Sequence, residues 1–315
     1  MAVDAGRRPD RIVESLAQDA PRPFTWVYVE RPADAELPEL AGLRTELGLS
    51  ARHLAECVSR RLLPKMIEEP QYRYLVLGLP SSSRSGAKPA PIIAAFLGAD
   101  FLVTIHHGDA RPLARLFREC QDDPAARRSA MSGGPRALLS LICERVVGQV
   151  GQAVDVLAHE AADLEVALRA GAETEWIGRL ATLSRESGRL RRLLDADRAA
   201  LLALAAGDEP AASMEWRSLA DGLSHAETAL GEVDDGLAAL RLSHDSQCAR
   251  RAERASRLTA VCAALSLPPG SLSLLLAVGG TPLLSSAPYY HEALISLVVA
   301  FVVVGLYGFR RAGWI

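Results

Sequence analysis

Residues 258–290 read LTAVCAALSLPPGSLSLLLAVGGTPLLSSAPYY, a run without one Asp, Glu, Lys or Arg. After His291 and Glu292 the charge-free character resumes as ALISLVVAFVVVGLYGF, residues 293–309. A bilayer core of about 30 Å takes about 20 apolar helical residues. The first run is long enough to span and leave a short loop. The second is near the lower limit, where tilt and snorkelling flanks make up the difference. One such run also describes the buried helix of a soluble protein; two in succession read as a membrane hairpin, residues 258–315. Arg250, Arg251, Arg254 and Arg257 precede it, Arg310 and Arg311 follow it, and the loop between carries neither Lys nor Arg. The positive-inside rule places both ends in the cytoplasm and the loop outside. Tyr289, Tyr290 and Trp314 stand where interfacial aromatics belong.

Working outward, the rest of the chain reads as soluble. Its 315 residues carry 35 basic against 38 acidic side chains, a net charge of -3. That length admits two domains or one large one. The balance gives no footing for nucleic-acid binding, which needs a clustered basic surface. Cys57, Cys120, Cys143, Cys248 and Cys262 are scattered without a CxxC pair, which fits a reducing compartment and gives no disulfide framework. Arg7, Arg8, Asp10 and Arg11 interrupt the start, so residues 1–23 are expected to be a flexible tail and not a secretory signal.

Residues 24–123 alternate strand and helix. Phe24–Glu30 is rich in β-formers; a helix follows to about Leu47 with Asp34 as its cap, Gly48 ends it, and another runs over about 51–61. Tyr72–Leu79 reads as a strand and 81–91 as a loop. Ile92–Leu97 and Phe101–His106 flank the turn Gly98-Ala99-Asp100, and 111–120 is helical. Residues 124–135, bounded by Pro124 and Pro135, read as a linker. From 136 to 257 the pattern is helix alone. Leu139, Cys143, Val146, Val150, Val154, Leu157, Ala161, Leu164 and Leu168 recur at three- and four-residue steps, and a second helix covers about 175–206. Trp216, Leu219, Leu223, Ala226, Leu230, Val233, Leu237 and Leu240 then keep a strict 3-4 alternation, as a coiled-coil seam does. No proline falls between Pro210 and Pro268. One helix of that length needs partners, so oligomerisation or a layered bundle is expected. The class is α+β: an α/β cytoplasmic domain, a long-helix stalk and two C-terminal membrane helices.

Several words in this order resemble the CorA family of divalent-cation transporters. They are Trp26-Val27-Tyr28-Val29, Leu47-Gly48-Leu49, Pro64-Lys65 with Glu68-Glu69, Leu75-Val76-Leu77, Phe101 to His106, and Leu258-Thr259. Gly279-Gly280-Thr281-Pro282 and the ending Phe309-Arg310-Arg311 with Trp314-Ile315 are more similar to the zinc-transporting branch. The resemblance implies a homopentameric funnel in a bacterial inner membrane, multi-pass with both termini cytoplasmic. In it the first membrane helix lines the pore and Mg²⁺, Co²⁺, Ni²⁺ or Zn²⁺ passes as a hydrated ion. Divalent cations are the expected substrate and regulatory ligand, with no covalent cofactor and with the lipid bilayer and further copies of the chain as partners. The family closes its first membrane helix with Gly-Met-Asn. Here that triplet falls on Ala277-Val278-Gly279 counted from the helix proline, or on Leu275-Leu276-Ala277 counted back from the Gly-Gly-x-Pro word. Neither supplies the Asn.

Within the first run Thr259, Cys262, Ser266, Gly270, Ser273 and Ala277 recur at helical spacing as one face of small or polar residues. Two readings stand: a pore lining whose hydroxyls meet an ion's hydration shell, or a face of close helix packing in lipid. Pro268 and Pro269 lack an N–H, which frees the carbonyls of Ala264 and Leu265 for pore water or for a neighbouring helix. Gly279, Gly280, His291 and Glu292 are candidates for the outer mouth, where a Glu292 ring would concentrate cations. Asp234, Asp235 and Asp245 are candidates for a regulatory metal between subunits, with Asp221 and Glu232 nearby; solvated acidic helix faces are the other reading. His106-His107 sit on a strand and so point to opposite faces, a structural arrangement. No P-loop, nucleophile elbow or HExxH occurs, so no enzyme is expected. Two functions follow: divalent-cation transport, or a non-conducting membrane-anchored scaffold or regulator of the same fold.

Overall fold

A computed structural model describes residues 13–17, 24–31, 38–58, 62–81, 90–107, 109–169, 176–208 and 210–278, with Ser296, Val299, Ala300, Val303, Val304, Tyr307, Arg310 and Arg311 of the second apolar run. Two compact units are distinguished, residues 1–237 and 238–315.

The first unit is built on a mixed sheet of β1 (Val13–Ala17), β2 (Thr25–Arg31), β3 (Lys65–Glu68), β4 (Arg73–Gly78), β5 (Ile92–Leu97) and β6 (Phe101–His107) in the order β1-β2-β6-β5-β4-β3. Only β2 and β6 run parallel, with Val27 opposite Val103; every other neighbouring pair is antiparallel. The hairpin read around Gly98 is β5–β6, closed by the Gly98 amide donating to the Phe101 carbonyl at 3.0 Å. One face buries Val27, Val29, Tyr74, Val76, Phe96, Val103 and Ile105 with Leu43, Leu54 and Cys57. Those last come from α1 (Pro38–Leu47) and α2 (Ala51–Val58).

The opposite face carries a buried polar ladder. Trp26 Nε1 donates to Thr104 Oγ1 at 3.0 Å, and the Tyr28 hydroxyl shares a hydrogen bond with His106 Nε2 at 2.8 Å. Phe117 of α3 (Arg111–Asp122) meets Trp26 edge-on and stacks on Tyr28. Alternation along β6 sends His107 the other way, where its ring pairs with the Cys57 carbonyl. The adjacent histidines therefore fasten two different layers, as their spacing predicts.

Three helices complete the fold: α5 (Gly134–Arg169), α6 (Trp176–Ala206) and α7 (Pro210–Val278). The apolar stripe of α5 is buried from Leu138 to Leu164, and α7 buries Trp216, Leu223, Leu230, Val233 and Leu237 of its seam. Among the described residues α5 is the one helix long and apolar enough to cross a membrane, yet 44% of its apolar window is buried inside the protein. It packs on β5, β6, α3 and α6. It is a core helix.

Two expectations need correction. Val13–Ala17, inside the stretch read as a flexible tail, is the edge strand β1, paired with Thr25–Val29. The open edge of β2 recruits a segment whose own sequence is a weak strand former. Residues 124–135, read as a linker, contain α4 (Pro124–Met131) and the first turn of α5. Asp123 caps α4, accepting the Ala125 amide at 2.7 Å, and Pro124 stands at its first position, where its missing N–H costs nothing. The helix expected from Pro32 is observed from Pro38; its Asp34 cap lies outside the described residues.

Candidate functional site

α7 remains helical through Pro268 and Pro269 to Val278. A helix turns about 100° per residue, so Thr259, Cys262, Ser266, Gly270, Ser273 and Ala277 fall within an arc of about 80°. Thr259 and Cys262 are exposed, and the Thr259 hydroxyl donates back to the Ala255 carbonyl at 2.9 Å. Two residues before the face begins, Arg257 pairs with Glu253 at 2.5 Å across one helical turn. In the second apolar run Val299, Val303, Val304 and Tyr307 are helical and more than half exposed. Gly279, Gly280, His291 and Glu292 lie outside the described residues.

The acidic candidates of the stalk separate. Asp234 is occupied within its own chain: the Ser187 hydroxyl donates to Oδ1 and Arg191 Nη2 to Oδ2, the latter at 2.7 Å. This carboxylate ties α7 to α6 and is charge-balanced without a metal. Asp235 and Asp245 are exposed. An open groove between α5 and α6 is lined by Asp155, His159, Glu160, Asp163, Arg179 and Glu186. Among the described residues no group of three or more His, Cys, Asp or Glu side chains is placed to hold a metal ion.

Two polar arrangements in the first unit are invisible to motif reading. At the α6–α7 turn Asp208, nearly buried, accepts from Arg73 of β4 and Arg136 of α5, and from Trp216 Nε1 at 2.7 Å. Arg73 also donates to the Gly207 carbonyl at 2.7 Å. Sheet, α5 and α7 are thus tied through one carboxylate. Deeper, Asp197 of α6 is 1% exposed, accepts the Gly78 amide at the end of β4 at 2.9 Å, and leaves Oδ2 without a hydrogen bond among the described residues. Burial pushes its carboxyl up to about 8, against the lowering effect of the Gly78 amide. The Cys143 thiol of α5, also buried, is raised chiefly by desolvation, with Asp197 and Glu215 adding to the shift. The sequence signal for the first node is the Gly-Asp-x-Pro break between two helices. For Asp197, set in the charged run Arg191 to Arg198, there is none.

A family model described as "CorA-like Mg2+ transporter protein" matches residues 22–310. No curated protein matches. Among solved structures, the complete CorA magnesium transporter of Methanocaldococcus jannaschii superposes with a TM-score of 0.73 at 17% identity, covering 93% of this chain and 92% of its own. The full-length CmaX protein gives a TM-score of 0.73 at 20% identity, covering 95% of this chain and 91% of its own. The ZntB cytoplasmic domain of Vibrio parahaemolyticus gives 0.58 at 12% identity, covering 77% of this chain and 99% of its own. At these identities the structures speak for the fold, and the family model, matching nearly the whole length, speaks for membership. The chain belongs to the CorA-like family, whose members are membrane transporters and not enzymes.

Proposed function

We propose that this chain conducts hydrated divalent cations across a bacterial inner membrane, as a homopentamer whose pore is lined by Thr259, Cys262, Ser266, Gly270, Ser273 and Ala277. Residues 24–123 and 136–257 form the cytoplasmic part and residues 258–315 the membrane hairpin, with both termini cytoplasmic. The observation that carries the reading is α7 itself. One helix bears the buried seam of the cytoplasmic bundle and, further on, the uncharged run with its small, polar face. Hydroxyls, a thiol and glycine offer hydrogen bonds to an ion's water shell without the charge that would strip it. Water along that face also satisfies the carbonyls released by Pro268 and Pro269. The bare Val299, Val303, Val304 and Tyr307 suit a lipid-facing second helix.

The ion is the finer question. An Asn carbonyl at the outer mouth is a hard oxygen ligand suited to Mg²⁺ and its waters, and this chain contains no Asn at any position. That favours a conduction path less selective for Mg²⁺, with Zn²⁺, Co²⁺ and Ni²⁺ among the transported ions. It also favours the second reading, a membrane-anchored regulator or scaffold that does not conduct. Purified protein in proteoliposomes, offered Mg²⁺, Co²⁺, Ni²⁺ and Zn²⁺ under an imposed membrane potential, decides between them. Conduction predicts uptake of at least one ion above empty vesicles, abolished by Ser266→Leu with the oligomer intact. If no ion moves, the scaffold reading stands; if Ser266→Leu conducts normally, that face meets protein instead of water.

A further inference from the structure

Just before its uncharged run, α7 carries Arg250, Arg251, Arg254 and Arg257, all of them exposed. Between Asp245 and Glu292 the sequence holds a single acidic residue, Glu253, and Arg257 pairs with it at 2.5 Å. Each copy therefore keeps an excess of positive charge at this level. At a rise of about 1.5 Å per residue, all four lie within about 12 Å of Leu258, where the run begins. A headgroup layer is about 5–8 Å deep on each side of the hydrocarbon. The negative potential of an anionic leaflet extends about 8–10 Å beyond it. All four arginines fall inside that reach. At about 100° per residue, Arg250, Arg254 and Arg257 share an arc of about 60°. The positions of Val261, Leu272 and Leu275 continue that arc, and the small polar face from Thr259 to Ala277 is centred about 150° round the helix from it. Guanidinium groups turned towards a cation path would repel its ions; these three positions are turned away from it.

We propose that this arginine face binds the phosphates of anionic phospholipids in the cytoplasmic leaflet and so fixes the depth at which α7 enters the membrane. Such a face serves only a chain that crosses the bilayer, so it rests on the membrane hairpin of the proposed function. Arginine suits the role, because its planar guanidinium presents paired N–H donors to two phosphate oxygens and keeps its charge at physiological pH. Four side chains spread over about 10 Å of helix are too far apart for one phosphate and match the headgroups of neighbouring lipids. A zwitterionic headgroup offers the same phosphate with a compensating cation, so the net charge of the lipid sets the preference. The face binds lipid whether or not the protein conducts.

Full-length protein in a neutral detergent is mixed with equal amounts of phosphatidylglycerol and phosphatidylcholine, and bound lipid is counted by native mass spectrometry. Phosphatidylglycerol should be preferred. Arg250→Gln with Arg254→Gln should lower its affinity about 25-fold, about fivefold for each arginine, and leave phosphatidylcholine unaffected. Arg250→Lys with Arg254→Lys should retain most of the preference. Arg241→Gln, an exposed position on the opposite side of α7, should retain all of it. Equal binding of the two lipids overturns the proposal, as does a preference that survives the double Gln variant; survival together with loss of the oligomer would place another copy of the chain on this face instead. Displacement of phosphatidylglycerol by millimolar inorganic phosphate would assign the site to a free anion and overturn it too. The hairpin is tested apart, by alkaline carbonate extraction from pure phosphatidylcholine vesicles. A chain released there has no membrane hairpin, and the lipid face falls with it; a chain retained there without a phosphatidylglycerol preference refutes the lipid face alone.

Discussion

Between Trp216 and Leu237, α7 buries Trp216, Ala220, Leu223, Leu230, Val233 and Leu237 within its own chain. From Ala238 to Ala263 every residue of described exposure is exposed, apart from half-buried Leu240 and His244. The backbone is the same helix throughout, so propensity does not set the difference. The pattern of side chains does. Through the first stretch apolar residues keep the 3-4 step that matches one buried stripe. Beyond Leu240 the same positions pass to His244 and Arg251, and the helix presents a polar, basic collar at Arg250, Arg251, Arg254 and Arg257. After Leu258 the helix is apolar on most sides. A stripe asks for a partner on one side; an all-round apolar helix asks for lipid or for several partners. One continuous element thus carries three solvents' worth of instruction.

The sharpest way to break this comparison is at the packed end. Trp216 is fully buried and donates to Asp208, the carboxylate shared with Arg73 and Arg136. Trp216→Ala should cost about 3–5 kcal/mol, through the cavity and the lost donor together. Thermal unfolding of the full-length protein in detergent measures it. A loss under about 1 kcal/mol would mean that the seam is not what holds α7 to the bundle.

The next effect depends on pH. Asp197 has a folded pKa of about 8, raised above its ordinary value by burial. A carboxyl raised in this way keeps its proton longer in the folded state than in the unfolded one. Its contribution to stability is therefore complete at low pH, falls as pH rises from about 4 towards about 8, and is flat above. The size of that fall is at most about 6 kcal/mol. Cys143 of α5 is the ionisable group that interacts with it, and it supplies no compensating positive charge. Asp197→Asn keeps an acceptor for the Gly78 amide and has no proton to lose. The variant should flatten the decline in melting temperature between pH 5 and pH 8. An unchanged slope would place the pH dependence elsewhere.

What the sequence could and could not disclose follows from where the information sits. The seam of α7, the stripe of α5 and the β5–β6 hairpin were legible because periodicity and turn residues are local. β1 and β3 were not. Val13–Ala17 and Lys65–Glu68 are short, carry charge, and become strands because β2 and β4 each offer an unpaired edge. α4 carried its own signals in Asp123 and Pro124, which were outweighed by the prolines and glycines around them. In the uncharged run after Arg257, spacing alone placed the six small residues on one face, since the helix continues past both prolines. The occupied state of Asp234 was illegible: Ser187 and Arg191 are distant in sequence, and only the packing of α6 on α7 joins them. Asp197 was hidden for the same reason, because Gly78 makes it a buried group and no neighbour in sequence does.

The smallest expected effect tests the bare end of the helix. Leu242 is 70% exposed, five residues past the last fully buried position of the seam. Leu242→Gln therefore removes little packing, and the change in stability should stay within about 0.5 kcal/mol. The helix propensities of Leu and Gln are nearly equal, so the backbone adds nothing to either side. The measurement is thermal unfolding at two protein concentrations. A single bare helix gives the same small shift at both. A destabilisation that grows on dilution would show another copy of the chain seated on this face, since only burial between copies makes stability depend on protomer concentration. The comparison within α7 would then be between two kinds of partner, its own chain before Leu237 and a second copy after it.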